Sequence, residues 1–170
     1  EESSKMPFLI KHPRIIEAGT TTDAMVMNVD FAPTLIDMAG IQIPSEMQGE
    51  SFKGAFEGDE NKNRKSVYYH YYEWPIWHKV QPHYGIKTDR YKLMHFYYSM
   101  DEWELYDLET DPNEMNNIYS EAPVDLIENL KYELNELRKK YKDDGSIEEM
   151  RQMTDTVIRR VYNEPNKIMK

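Results

Sequence analysis

Residues 66–108 decide the fold: Ser66-Val-Tyr-Tyr-His-Tyr-Tyr-Glu-Trp-Pro75, Pro82-His-Tyr-Gly-Ile-Lys-Thr-Asp-Arg-Tyr-Lys-Leu-Met-His-Phe-Tyr-Tyr98 and Trp103-Glu-Leu-Tyr-Asp-Leu108. Aromatic and β-branched runs separated by turn formers mark antiparallel strands joined by short connections. Side chains alternate along Tyr91–Tyr97. Tyr91, Leu93, His95 and Tyr97 fall on one face; Lys92, Met94 and Phe96 fall on the other. Thr88-Asp-Arg90 is short and polar, which fits the turn before that strand. The same stretch holds four of the five histidines, His70, His78, His83 and His95.

Downstream, Asp111-Pro-Asn-Glu114 fits a capping box and predicts one helical turn. A long helix is expected over residues 123–141. Ile127, Leu130, Leu134, Leu137 and Tyr141 recur there at spacings of three and four, a stripe suited to covering one sheet face. Asp143-Asp-Gly145 ends it. Ile147, Met150, Thr154, Val157 and Val161 mark a last amphipathic helix.

Upstream, Pro7-Phe-Leu-Ile10 reads as a strand buried on both faces, and Met25–Val29 as a second. Asp30 is placed as the N-cap of a helix with Pro33 in its first turn, and Gly40 as its terminator. Two short strands and one helix cannot close a core alone, so residues 1–50 look like the end of a larger α/β layer. Residues 41–65 are loop-like, and the polar run 57–65 is the best boundary. The fold class is therefore α+β: the C-terminal piece of a large α/β domain (1–50), a linker (51–65), a subdomain of about four antiparallel strands packed on a long C-terminal helix (66–142) and a helical tail (143–170).

The chain has 170 residues and a net charge of −10, with basic residues gathered only in patches as short as Arg138-Lys-Lys140. No nucleic-acid partner is expected. No apolar run approaches the roughly 20 residues that span a bilayer. Cysteine is absent, which removes disulfides, thiolate-bound zinc and thiol nucleophiles.

The candidate chemistry centres on Tyr69-His70-Tyr-Tyr-Glu-Trp74 and Trp77-His78…His83-Tyr84. Rings with a few polar groups suit sugars. The competing reading seats each histidine at the rim of an aromatic core face. His78 and His83 stand out because they flank a proline-containing loop near a strand start. Their spacing with Glu73 or Asp89 matches no compact metal motif. Lys87, Arg90 and Lys92 form a basic set able to hold sulfate or phosphate, against the alternative of a solvated strand face for Arg90 and Lys92. Neither a Gly-x-Ser-x-Gly nor a phosphate-cradling glycine loop occurs.

In order, several segments resemble the C-terminal portion of type I (formylglycine-dependent) sulfatases of the alkaline-phosphatase-like superfamily. They are Glu1-Glu-Ser-Ser-Lys-Met-Pro7, Val29-Asp-Phe-Ala-Pro-Thr-Leu-Ile-Asp-Met-Ala-Gly-Ile41, Gln48-Gly-Glu-Ser-Phe52, His83-Tyr-Gly-Ile-Lys-Thr-Asp-Arg-Tyr-Lys-Leu93 and Glu104-Leu-Tyr-Asp-Leu108, the last followed by Asp111, Pro112, Glu114 and Asn117. Each is weak alone; together they cover about residues 1–140, and the last 30 residues match no family pattern. Lys87 stands where the family often has arginine. The resemblance implies a sulfate-ester hydrolase, with sulfated glycans as substrates. The small subdomain would lean on the rest of the large domain and lend residues to the substrate pocket. By that likeness His83 is the leading substrate contact, followed by His78, Glu73 and Trp74. The family's Cys/Ser-x-Pro-x-Arg signature and calcium ligands are missing. The resemblance places the formylglycine and the calcium site upstream, so this chain alone is expected to hold no cofactor and to be inactive. It also implies a periplasmic or extracellular parent. Alternatives are a phosphonate or phosphate monoester hydrolase of the same superfamily, or a non-catalytic glycan-binding module.

Overall fold

A computed structural model describes residues 4–56, 64–75 and 78–163. The chain divides into two compact units, Glu1–Val67 and Tyr68–Lys170.

The first unit is organised by Asp30. A 3-10 turn, Asn28–Asp30, leads into helix α1, Phe31–Met38. The Asp30 carboxylate makes no side-chain cap on α1, contrary to the sequence expectation. It accepts instead from the backbone N–H groups of Met27 (2.8 Å) and Glu50 (2.9 Å) and from both terminal nitrogens of Arg64. Those donors hold its carboxyl below the usual carboxylate range although burial pulls it upward. Thr34 Oγ1 donates to the Asp30 carbonyl and accepts from Phe52 N–H, which ties the 41–52 loop to α1. Gly40, at φ +71°, stops the helix as expected. A four-residue helix, α2, Lys53–Phe56, interrupts the expected loop. Phe8, Phe31 and Phe52 stack around one another, while Met6, Leu9, Leu35 and Ile41 stay exposed. The strands expected at 7–10 and 25–29 do not form. Residues 7–10 have no regular structure, and the Met27–Asp30 hydrogen bonds turn the second run into the 3-10 segment. Among the described residues before Arg64 there is no strand to pair with either run, and a lone strand leaves its backbone groups unsatisfied.

The second unit is built on a four-stranded sheet: β1 (Ser66–Tyr71), β2 (His83–Thr88), β3 (Tyr91–Phe96) and β4 (Glu102–Asp107), in spatial order 1-2-3-4. Strands β2, β3 and β4 pair antiparallel, with Ile86 opposite Leu93 and Leu93 opposite Leu105. The alternation read from the sequence holds. Tyr68, Tyr84, Ile86, Leu93, Tyr97 and Leu105 form one apolar core with Leu130 and Leu134. Helix α3, Val124–Lys140, supplies those leucines from the expected stripe, with Ile127, Leu137 and Tyr141 packed at the edge. The expected helical turn at Asp111–Glu114 is a single reverse turn. Glu114 N–H bonds the Asp111 carbonyl, and Glu114 adopts φ +54°. Its carboxylate does not fold back as a capping box would; it takes the buried Lys92 ammonium at 2.9 and 2.8 Å. That pairing also corrects the solvated-face reading of Lys92, which is 6% exposed. Arg90, half-exposed, grips Asp107 through two hydrogen bonds.

Helix α4, Ile147–Asn163, adds Met150 to the core. The α3–α4 junction is closed by Arg138, whose guanidinium donates to the Asp143 and Gly145 carbonyls and lies 4.4 Å above the Tyr84 ring. The Asp143 carboxylate accepts from Tyr68 OH (2.5 Å), His70 Nδ1–H (2.6 Å) and Tyr72 OH (2.9 Å). His70 Nε2 then accepts from Tyr97 OH at 3.0 Å. His95 repeats this arrangement, donating to Asp101 (3.0 Å), accepting from Tyr84 OH (3.1 Å) and stacking on Trp103 at 4.3 Å.

Two outcomes follow for stability. All three tryptophans lie after residue 73, so tryptophan fluorescence during urea unfolding reports the second unit. Leu93→Ala is expected to cost about 2–5 kcal/mol by that readout, and Val124→Ala, at an exposed helix start, less than about 0.5 kcal/mol. Burial holds the His70 and His95 imidazoles below the ordinary histidine pKa, although Asp143 and Asp101 pull the other way. The unfolded chain takes up these protons near pH ~6.5 and the folded chain only at lower pH. Stability should therefore fall as pH drops from about 7 toward 5.5, by at most about 1.4 kcal/mol per pH unit per histidine. Asp143, whose carboxyl is lowered, acts in a separate window and loses its contribution only below about pH 4. Equal urea midpoints at pH 7.5 and 5.5 would rule the histidine account out.

Candidate functional site

Three of the four sequence candidates gather round one ring. Tyr71 ends β1, and its OH donates to the Glu73 backbone carbonyl at 2.8 Å. The His83 imidazole stacks on the Tyr71 ring (centroids 5.3 Å, 26°), tilts against Phe96 at 4.7 Å and meets the Tyr69 ring edge-on at 5.8 Å. His78 approaches Tyr71 edge-on at 6.4 Å and is exposed. The Glu73 side chain is exposed beside them. Trp74 lies elsewhere, half-buried and tilted on Tyr98 at 5.1 Å, with a cis peptide to Pro75.

Local sequence explains the placement. His83 opens β2 opposite Phe96, so it falls on the sheet face away from Leu93 and α3. Two residues on, the same face carries Gly85. A Cβ there would lie 2.5 Å from the Leu93 carbonyl oxygen and 2.7 Å from the Tyr69 hydroxyl, so only glycine lets the Tyr69 ring settle over the sheet. The three rings around His83 are thus held from β1 and β3.

The chemistry of His83 is fixed by its neighbours. Its Nδ1 lies 2.9 Å from the Gln81 carbonyl oxygen. A carbonyl only accepts, so Nδ1 carries the proton and Nε2 is left as an acceptor. Burial pushes the imidazole pKa below the ordinary histidine value against the upward pull of the Gln81 carbonyl, with the nearby Lys92 charge adding to the fall, which favours the neutral ring. A neutral, ring-stacked acceptor suits a sugar hydroxyl better than an anionic sulfate. The exposed Glu73 and His78 can add further hydrogen bonds, and Trp74 offers an apolar ring for stacking.

Sequence reasoning missed Tyr71 as the organiser, and Gln81, whose carbonyl sets the His83 tautomer. Neither carries a local signal, since one is a tyrosine among thirteen and the other a lone loop glutamine. Of the basic set, Arg90 and Lys92 are committed to Asp107 and Glu114, so they are poor anion clamps. In the first unit Asp30 and Arg64 satisfy each other beside a cleft of about 20 Å³, room for a water and not for a sugar. Calcium does not fit the residues here, because no three His, Asp or Glu groups able to hold a metal converge among the described residues. Formylglycine does not fit either, because the chain has no cysteine and no Ser-x-Pro-x-Arg. No helix among the described residues is long and apolar enough to cross a membrane.

Comparison with known proteins agrees with this architecture. Residues 1–140 match the family described as N-sulphoglucosamine sulphohydrolase, C-terminal. An N-acetylglucosamine-6-O-sulfatase of Bacteroides thetaiotaomicron is 48% identical over 153 residues, 87% of this chain and 27% of the relative. Arylsulfatase K of Xenopus laevis is 31% identical over 133 residues, 72% of this chain and 24% of the relative. A protein solved in complex with its substrate D-glucosamine-2-N,6-O-disulfate superposes with a TM-score of 0.76 at 47% identity, covering 81% of this chain and 29% of that one. The chain thus spans about a quarter of the length of the relatives it matches. With five-sixths of its residues inside the family match and the same fold in a solved relative, the chain belongs to the N-sulphoglucosamine sulphohydrolase C-terminal family, the C-terminal portion of sulfatases.

Proposed function

We propose that this chain is the C-terminal part of a sulfatase that hydrolyses sulfate esters on glycans, with a 6-O-sulfated glucosamine as the first candidate substrate. The observation that carries the reading is the His83–Tyr71 arrangement: a neutral imidazole acceptor stacked on a tyrosine at the start of β2, with His78 and Glu73 beside it. The 48% identity to an N-acetylglucosamine-6-O-sulfatase supports the same substrate class.

In this reading the chain shapes the sugar subsite and does no bond breaking itself. His83 Nε2 accepts from a sugar hydroxyl, and His78 and Glu73 bond further hydroxyls. Trp74 stacks on the sugar ring. Calcium and the formylglycine nucleophile belong to other segments of the longer protein. The first unit, with its exposed Met6, Leu9, Leu35 and Ile41, is the end of the large domain, and the rest of that domain is its partner. A periplasmic or extracellular parent and an inactive isolated chain complete the proposal. The relatives reported above are sulfatases, and none favours the phosphate-ester or non-catalytic alternatives.

The test uses the full-length protein and D-glucosamine-6-sulfate. His83→Ala and Trp74→Ala should each raise KM by roughly 3- to 30-fold with kcat changed less than about threefold, the loss of one ligand hydrogen bond or one stacked ring. Wild-type KM in both variants would reject the subsite. Hydrolysis of the matching phosphate monoester at a kcat/KM above that of the sulfate would reject the sulfatase assignment.

A further inference from the structure

Helix α4 begins at Ile147, beyond the end of the family match at residue 140. Met150 and Ile147 pack on the core, while Arg151 and Asp155 bond the turn joining β3 to β4. Arg151 Nε donates to the Tyr97 carbonyl at 2.7 Å, and its guanidinium pairs with Asp101 at 3.0 Å. Asp155 accepts from Tyr98 OH at 2.6 Å. Asp101 itself sits at φ +49°, a left-handed conformation that its carboxylate's bonds to Arg151 and His95 help to hold.

The same turn also touches two residues of the β1–β2 connection. The Tyr98 ring carries Trp74 at 5.1 Å. The Gln81 side-chain oxygen accepts from Ser99 N–H (3.1 Å), Ser99 OH (2.9 Å) and Met100 N–H (3.2 Å). The Gln81 backbone carbonyl accepts from His83. Residues 97–101 are therefore bonded to two α4 side chains, in contact with Trp74 and, through Gln81, linked to His83.

We propose that α4 is a brace that positions Trp74 and His83 for a carbohydrate ligand by fixing the 97–101 turn, with Tyr98, Gln81, Arg151 and Asp155 as the positioning residues. That Trp74 and His83 touch a sugar rests on the function proposed above; that α4 sets their positions does not. Tyr98 is only partly buried, at the edge of the core, so its packing leaves the ring's tilt, and with it Trp74, to be set by the bond at its hydroxyl. A charge-assisted bond to Asp155 is strong enough to select one rotamer.

The experiment uses the full-length protein with 5-fluorotryptophan incorporated. The Trp74 resonance is the 19F signal lost in Trp74→Phe. Asp155→Ala and Tyr98→Phe should each shift or broaden that signal, and the double variant should do no more than either single one. KM for D-glucosamine-6-sulfate should rise about three- to tenfold in both, with kcat within twofold and the melting temperature within a few degrees. Arg151→Lys, which keeps the charge but not the fork, is the milder variant should the others unfold. An unshifted Trp74 signal in the folded variants overturns the brace. A shifted signal with unchanged KM supports the brace and overturns the Trp74 subsite, so the two failures are read separately.

Discussion

The second unit depends on the register that sets Leu93 between Ile86 and Leu105, all three sealed from solvent. In a strand the side-chain period is two, so a slip of β3 by one residue would carry Leu93 out of the core and away from Ile86 and Leu105. That slip would also bring Lys92, Met94 and Phe96 against the leucines of α3. Lys92 would then be buried without Glu114, an arrangement costing several kcal/mol. The register is thus enforced from both faces, by hydrophobic burial on one and by a buried ion pair on the other. The same parity puts His83 on the face with Phe96 and away from α3. The geometry of the candidate site is a consequence of how the core is registered.

The ends of the sheet are fastened differently. Here polar groups from buried to half-exposed are bonded to one another. Asp143 collects three donors, and His70 passes the network on to Tyr97. A buried polar network fixes orientation in a way that leucine packing does not, because an unmade bond in low dielectric is costly. This is why the α3–α4 loop, the edge strand β1 and the 97–101 turn have one arrangement. Tyr97 receives the network on its side chain and Arg151 on its carbonyl, so it joins the Asp143 cluster to α4.

Much of this was legible in the sequence, for an identifiable reason. Strand alternation at 91–97 and the 127–141 stripe are local periodic signals, and both came through nearly to the residue. The strands expected at 7–10 and 25–29 failed because apolar runs say what is buried or bound, not whether a pairing partner is at hand. Asp30 looked like a helix cap because the type and place were right. Besides Met27 N–H three residues back, its partners lie 20 and 34 positions away, which no local pattern encodes. Glu114 failed in the same way, with its partner Lys92 on a strand 22 residues earlier. At the site, His83 was found because a histidine at a strand start is conspicuous. Tyr71 and Gln81 were not, since their roles exist only once β1, β2 and the 97–101 turn are assembled.

The resemblance to sulfatases is carried mostly by residues that build the fold, and this limits what it says about substrate. In the Tyr-Lys-Leu and Glu-Leu-Tyr-Asp-Leu segments, Leu93 and Leu105 form the core, Asp107 holds Arg90, and Lys92 holds Glu114. Asn117 caps Leu105 N–H at 3.0 Å and Tyr119 N–H at 3.0 Å, stitching the following loop to β4. None of these side chains is available to read a sugar. Glu73, Trp74 and His78 lie outside those segments, on the β1–β2 connection, and His83 stands at the margin of one. A connection of that kind can change without disturbing the register of Leu93, because none of its described residues belongs to the core around Leu93 and Gln81 bonds the 97–101 turn. On the function proposed above, selectivity among sulfated sugars would reside in residues 71–83 and in whatever steadies them, while the segments that identify the family keep the sheet in place.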